Sequence, residues 1–192
     1  MHEPSSAREW PIDNDLMMRV RDGEVAQLGV LFERHQNMLY NFFLRMSSNR
    51  EASQDLVQEV FLRILRYRHT FRGESKFTVW MYSIARNAYA DHFRKRKKET
   101  PVDIEALERT SADPLPHETL EQEQEIAMLR RALDKLASEK REVLLMSRFQ
   151  DLKYHEIAEI LQCPVGTIKA RVHWALKDLK KIFDQLSGAT VS

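Results

Sequence analysis

Asp151 to Lys181, DLKYHEIAEILQCPVGTIKARVHWALKDLKK, constrains this chain more than any other stretch, because it reads as two helices with room only for a tight turn between them. The first is short, from Tyr154 to Leu161, and puts Ile157, Ala158, Ile160 and Leu161 on and beside one apolar face. Pro164 suits the first position of a second helix, where its missing N–H costs nothing, with Cys163 before it in the N-cap place. Ile168, Val172, Leu176 and Leu179 then recur at spacings of four, four and three, which predicts an inward stripe. Lys169, Arg171, His173, Trp174, Lys177 and Lys180 face outward. Such a pair is a helix-turn-helix whose basic second helix is shaped for a DNA major groove. Helical bundles that touch no nucleic acid contain similar pairs, so the charge has to decide. The second helix and its tail hold five bases against the single acid Asp178, a face suited to phosphates, with Lys169 and His173 able to reach base edges.

Helix is expected throughout. Only five Gly and six Pro occur in 192 residues, strand patterns are nearly absent, and a hydrophobic content of 43% suffices for a core. The net charge of +1 conceals three blocks. Arg72 to Lys98 has eight bases and two acids; Glu99 to Glu125 has nine acids and one base; the end is basic again. No stretch has the apolar core of a signal peptide or the length of a membrane span, which places the protein in the cytoplasm. One cysteine, Cys163, allows no internal disulfide, and with His155 and His173 it matches no zinc spacing. No cofactor or metal is expected.

Taken in order, residues 1–12 read as a loose tail. Asp13 or Asn14 is expected to cap a short helix through Leu16, Met17 and Val20 that Gly23 breaks. A longer helix is expected from Val25 to Met46, its Leu28, Leu31, Phe32, Leu39, Phe42 and Phe43 in the core. Ser48 and Glu51 form a capping-box pair for the next helix. There Leu56 and Val57, Val60 and Phe61, Ile64 and Leu65 repeat every four residues, against a polar face with Asp55, Gln58, Glu59, Arg63 and Arg66. Read alone, that face is merely solvated.

After a turn at Gly73, Ser75 is expected to cap KFTVWMYSIARNAYADHFRKRKK. Phe77, Trp80, Met81, Ile84, Ala85 and Ala88 make an inner face; Lys76, Tyr82, Arg86, Asn87, Tyr89 and Asp91 lie on others, ahead of the basic run from Arg94 through Arg96 to Lys98. Aromatics interleaved with bases and amides suit unstacked nucleotides, although the same aromatics could be core and the basic run could complement a helix C-terminus. The acidic, proline-containing segment 99–117 reads as a linker. A second domain follows from Glu118, with Ile126, Leu129, Leu133 and Leu136 inward; Ser138 is expected to cap another helix, from Glu139 to Phe149, whose Val143, Leu144 and Phe149 pack on the helix-turn-helix. Residues after Leu186 are expected to fray.

Three stretches, DLVQEVFLRILR at 55–66, FRGESKFTVWMYSIARNAYADHFRKRKK at 71–98 and YHEIAEILQCPVGTIKARV at 154–172, in this order and with a variable linker, resemble the extracytoplasmic-function sigma factors of bacterial RNA polymerase. The resemblance implies an all-α chain of two small helical domains: sigma region 2 over 13–98, a flexible acidic linker over 99–117, and sigma region 4 over 118–186. It also implies that Asp55, Gln58 and Glu59 bind the clamp helices of the largest polymerase subunit, overriding the solvated-face reading. Lys76, Trp80, Tyr82, Arg86, Asn87, Arg94 and Arg96 would recognise and open the promoter −10 element, with Asn87 at a position that helps hold a flipped base. Lys169, Ala170, Arg171, His173, Trp174 and Lys177 would read the −35 element, Arg171 on phosphate. The linker would thread toward the polymerase active-site and RNA-exit path.

Implied partners are core RNA polymerase, including the flap of its second-largest subunit, promoter DNA, and an anti-sigma factor of the kind often anchored in a membrane, as in stress responses. No small-molecule substrate and no catalysis by this chain are implied. Two positions depart from the family's pattern. Lys153 stands where a serine-like cap is common, so the first helix of the turn motif is expected to start less firmly. Trp174 stands where a base is common, which favours apolar contact with thymine methyls or backbone packing. The main rival, an autonomous dimeric repressor, requires a dimerisation or ligand-binding domain that the amino-terminal half does not signal.

Overall fold

The structure, a computed structural model, describes residues 6–99 and 120–188. Among them the regular elements are all helical: α1 Ser6–Arg21, α2 Gln27–Ser47, α3 Arg50–Tyr67, a single 3₁₀ turn Arg68–Thr70, α4 Phe77–Glu99, α5 Leu120–Asp134, α6 Ser138–Phe149, α7 Tyr154–Leu161 and α8 Val165–Gly188. The described residues divide into two compact units, 6–41 with 51–99, and 42–50 with 120–188. The acidic linker expected over 99–117 lies outside the described residues, apart from the end of α4.

In the first unit Met17, Val20, Leu31, Leu39, Leu56, Val60, Ile64, Phe71, Phe77, Met81 and Tyr82 are buried. Helix α1 starts well before the expected cap, and the two residues proposed to begin it lie inside it. Both are buried and have other partners. Asn14 accepts the Phe77 N–H at 2.7 Å and donates to the Ser75 carbonyl at 2.9 Å. Thus α4 is capped from another helix, and Ser75 contributes its backbone oxygen to the arrangement. The Asp13 carboxylate accepts from Arg34 at 2.7 Å and from His35 at 2.8 Å, both on α2. Gly23, at φ 112°, ends the first helical segment as expected.

Burial acts to raise the Asp13 pKa, but hydrogen bonds and positive charge from His35 and Arg34 outweigh it and hold the group below 3.8. A carboxyl depressed on folding stabilises the fold fully above its unfolded pKa and loses that contribution as pH falls through the folded value. The expected result is that Asp13→Asn flattens the acid limb of stability. Denaturation followed from about pH 6 down to about pH 2 should show a smaller loss for the variant than for the parent.

The second unit is built round α8, on which α5, α6 and α7 all pack. Leu133, Leu136, Val143, Leu144, Leu145, Met146, Ile157, Ile160, Ile168, Val172 and Ala175 are buried. Arg141 fastens α6 to the end of α5 by donating to the carbonyls of Asp134 at 2.5 Å and Leu136 at 3.2 Å, oxygens that the helix end leaves without an intrahelical donor. A Lys140–Asp178 ion pair ties α6 to α8. Two expected core residues turn outward here. Leu129 is 37% exposed, and Phe149 is 45% exposed with the Arg45 guanidinium 4.6 Å from its ring centre.

Helix α7 spans the residues the sequence predicts, and its start is firmer than the lysine at 153 suggests. The Glu156 carboxylate reaches back to accept the Lys153 N–H at 2.7 Å, the acidic half of a capping box. Its end turns on Gln162, at φ 50°, with the Cys163 N–H bonded to the Ala158 carbonyl at 3.1 Å. Pro164 stands one residue ahead of α8, and its carbonyl accepts from Thr167 and Ile168. A left-handed conformation costs a residue with a Cβ about 1 kcal/mol, so Gln162→Gly is expected to raise stability by up to about 1 kcal/mol in urea denaturation.

Candidate nucleic-acid interface

On α8 the buried side is Ile168, Val172 and Ala175, which leaves Leu176 39% exposed instead of inward. An alanine at the third position lets the helix approach its neighbours closely, and the stripe follows a spacing of four and three. Every residue that the resemblance assigns to the −35 element lies outside this stripe. Lys169, Ala170, Arg171, His173, Trp174 and Lys177 are all exposed. At 100° per residue, Lys169, His173, Lys177, Ala170 and Trp174 fall within one arc of about 140°, with Arg171 on its flank.

Trp174 is held by its neighbours. The Lys177 ammonium lies 5.1 Å from its ring centre, and the His173 ring meets it edge-on at 5.5 Å. Thr167, Ala170, Arg171 and Trp174 line a shallow groove of about 340 Å³ with Glu139 and Lys140 at the start of α6. A bulky apolar plate beside fixed cations suits a thymine methyl and the adjoining phosphates.

On α4 the assignments divide. Asn87, Arg86 and Arg94 are exposed, and Lys76 and Trp80 are half-buried. Lys76, Trp80, Asn87 and Arg94 lie within about 40° of one another around the helix axis. Trp80 also belongs to an aromatic cluster, 5.3 Å from Phe71 and 6.4 Å from Phe77. Tyr82 does not join the exposed group: it is fully buried. It sits more than 120° round the helix from Asn87, and burial pushes its phenol pKa far above 10, so it is a neutral core residue. Arg96 lies in the backbone of α4, but its side chain lies outside the described residues.

On α3, Asp55 and Gln58 are exposed and Glu59 is half-buried. Leu62, not singled out from the sequence, stands one turn beyond Gln58 and is 60% exposed, an apolar side chain in an otherwise polar row. Its place could have been found by counting four from Gln58. Glu59 is also engaged within the unit. Arg63 donates to it at 2.6 Å and to Asp91 on α4 at 2.9 Å, and Arg94 donates to the other Asp91 oxygen at 2.5 Å. The Arg63 pKa is lowered by burial but raised by more through these two carboxylates. Among the described residues no three His, Cys, Asp or Glu side chains cluster as metal ligands, and no helix is long and apolar enough to cross a membrane.

Two family models match the chain: sigma-70 region 2 over residues 31–99 and sigma-70 region 4 over residues 126–179. The chain is 31% identical over 169 residues to the ECF RNA polymerase sigma-E factor of Haemophilus influenzae, which covers 83% of this chain and 89% of that one. It is 28% identical over 183 residues to the RNA polymerase sigma-H factor of Pseudomonas aeruginosa, covering 91% and 95%. The sigma factor RpoE of Bartonella quintana, solved in complex with the anti-sigma factor NepR, is similar in structure at a TM-score of 0.70 and 25% identity, over 84% of this chain and 97% of that one. CnrH, solved with the cytosolic domain of CnrY, shares the fold at a TM-score of 0.69 and 21% identity, over 90% and 97%. With both regions matched in order and a relative above 30% identity along most of its length, the chain belongs to the extracytoplasmic-function sigma factors of the sigma-70 family.

Proposed function

We propose that this chain binds core RNA polymerase and directs it to promoters by engaging the −10 element through residues 13–98 and the −35 element through residues 118–186, under the control of an anti-sigma factor. The observation that carries the reading is the outer side of α8, where the six assigned DNA-reading residues are all exposed on the second helix of a helix-turn-helix. The region 2 match in the same chain favours a sigma factor over an autonomous repressor. Asp55, Gln58 and Glu59 meet the polymerase clamp helices, and the second unit meets the flap of the second-largest subunit. Lys76, Trp80, Arg86, Asn87, Arg94 and Arg96 serve the −10 element; Tyr82 supports them from the core. The chain acts in the cytoplasm and regulates initiation, while RNA synthesis belongs to the core enzyme. Similarity to a sigma factor solved with an anti-sigma factor supports the proposed control.

The physical division of labour follows. Two small recognition surfaces gain from binding together only when something fixes their separation, and the core enzyme supplies that separation. An extruded base is then stabilised by contacts that replace lost stacking, which places Trp80 and Asn87, on one side of α4, near the opened strand. Run-off transcription from a promoter panel, with core polymerase in the presence and absence of the protein, tests the reading. Specific initiation that requires both is expected. Tight sequence-specific binding by the protein alone, with no initiation when core is added, would overturn it in favour of a repressor.

A further inference from the structure

One acid stands on the otherwise basic and polar side of α4. Asp91 lies one turn beyond Asn87 and three residues before Arg94, the start of the basic run, where a free carboxylate would repel a phosphate. It is held at both oxygens: Arg94 takes Oδ1 at 2.5 Å, and Arg63, reaching from α3, takes Oδ2 at 2.9 Å. Arg63 is the more enclosed of the two arginines, with 21% of its side chain exposed against 70% for Arg94. Its Nε is held at the same time by Glu59 at 2.6 Å, on the row assigned to the polymerase. Four charged side chains thus run unbroken from the α3 row to the DNA-facing side of α4, all within one unit.

Resting on the function proposed above, we propose that this chain of charges couples polymerase docking to DNA contact, with Arg63 as its positioning residue. Asp91 acts as an internal stand-in for phosphate that keeps Arg94 occupied until DNA arrives. When Arg94 transfers to a DNA phosphate, Asp91 is left beside a second negative charge, and Arg63 neutralises it. Arg63 is shared with Glu59. A cationic group of the polymerase that takes over Glu59 leaves Arg63 to Asp91 and loosens Arg94. By linkage, DNA that takes Arg94 shifts Arg63 in the direction that frees Glu59 for the polymerase.

The test measures equilibrium binding of a labelled promoter fragment to reconstituted holoenzyme at saturating core, between about 50 and about 200 mM salt. Asp91→Asn removes the competing charge and is expected to tighten binding by about threefold to fivefold. Arg63→Met leaves Asp91 to hold Arg94 alone. It is expected to weaken binding by a similar factor and to reduce the slope of log affinity against log salt by about 1, one phosphate contact. The double variant is expected to return to the parental affinity or better, a rescue that a purely structural role for Arg63 does not give. The coupling is overturned if Asp91→Asn leaves affinity unchanged, if the double variant is as weak as Arg63→Met, or if promoter DNA raises the affinity for core by the same factor in the parent and in Arg63→Met. Parental holoenzyme that binds no promoter specifically would remove the proposed function, and the coupling with it.

Discussion

Reversing the charge at Asp55, as Asp55→Arg, is expected to lower affinity for core polymerase by at least about a hundredfold and to abolish run-off transcription from promoters that the parent protein uses. Asp55 is exposed on α3 between buried residues at 52, 53 and 56, so the arginine can point into water and the fold should survive. The effect therefore reports on docking. Truncating one partner of a buried charge pair costs about 2–5 kcal/mol, and a like-charge juxtaposition costs several kcal/mol, where each 1.4 kcal/mol is about tenfold in affinity. Fluorescence-detected titration of core polymerase, with circular dichroism to confirm helicity, gives the number. An unchanged affinity would show that the polar row of α3 is not the docking surface.

Tyr82→Ala has the second large effect, and it acts on stability instead of recognition. A fully buried aromatic removed from a packed core leaves a cavity, and such truncations cost about 3–5 kcal/mol. Small domains have about 5–15 kcal/mol in total. The expected outcome is a large downward shift of the urea midpoint for the unit containing α4, read from tryptophan emission, to which Trp80 contributes from its contacts with Phe71 and Phe77 in that unit. A variant that keeps its midpoint but binds single-stranded promoter DNA more weakly would instead put the Tyr82 ring at the nucleotide interface.

Tyr82 also shows where sequence reading reaches its limit. The helix-turn-helix was legible nearly to the residue, because α7 is short, strongly apolar on one side and closed by a turn with a proline. The outer side of α8 was legible for the same reason: a strong stripe at one period leaves little choice for the remainder. Helix α4 carries aromatics on several sides, so residue type alone did not separate the buried Tyr82 from the half-buried Trp80. Angle does separate them, since Trp80 lies about 20° from Asn87 and Tyr82 more than 120°. Leu176 misled because leucine outweighs alanine in any hydrophobic pattern, whereas close helix packing selected Ala175. In the charge chain from Glu59 to Arg94, the two outer pairs lie at helical spacings within α3 and α4, but the link from Arg63 to Asp91 could not be read, because it depends on which turn of α4 lies over which turn of α3.

The cap on α4 separates the beginning of that helix from ordinary helix ends. Terminal turns usually open on their own, at little free-energy cost, because their first N–H groups have only water or a local side chain to lose. Here the Phe77 amide is held by Asn14, more than sixty positions earlier in the chain. Opening the first turn of α4 therefore also disturbs α1. The helix proposed to meet the melted strand therefore starts from an end anchored by a distant part of the chain.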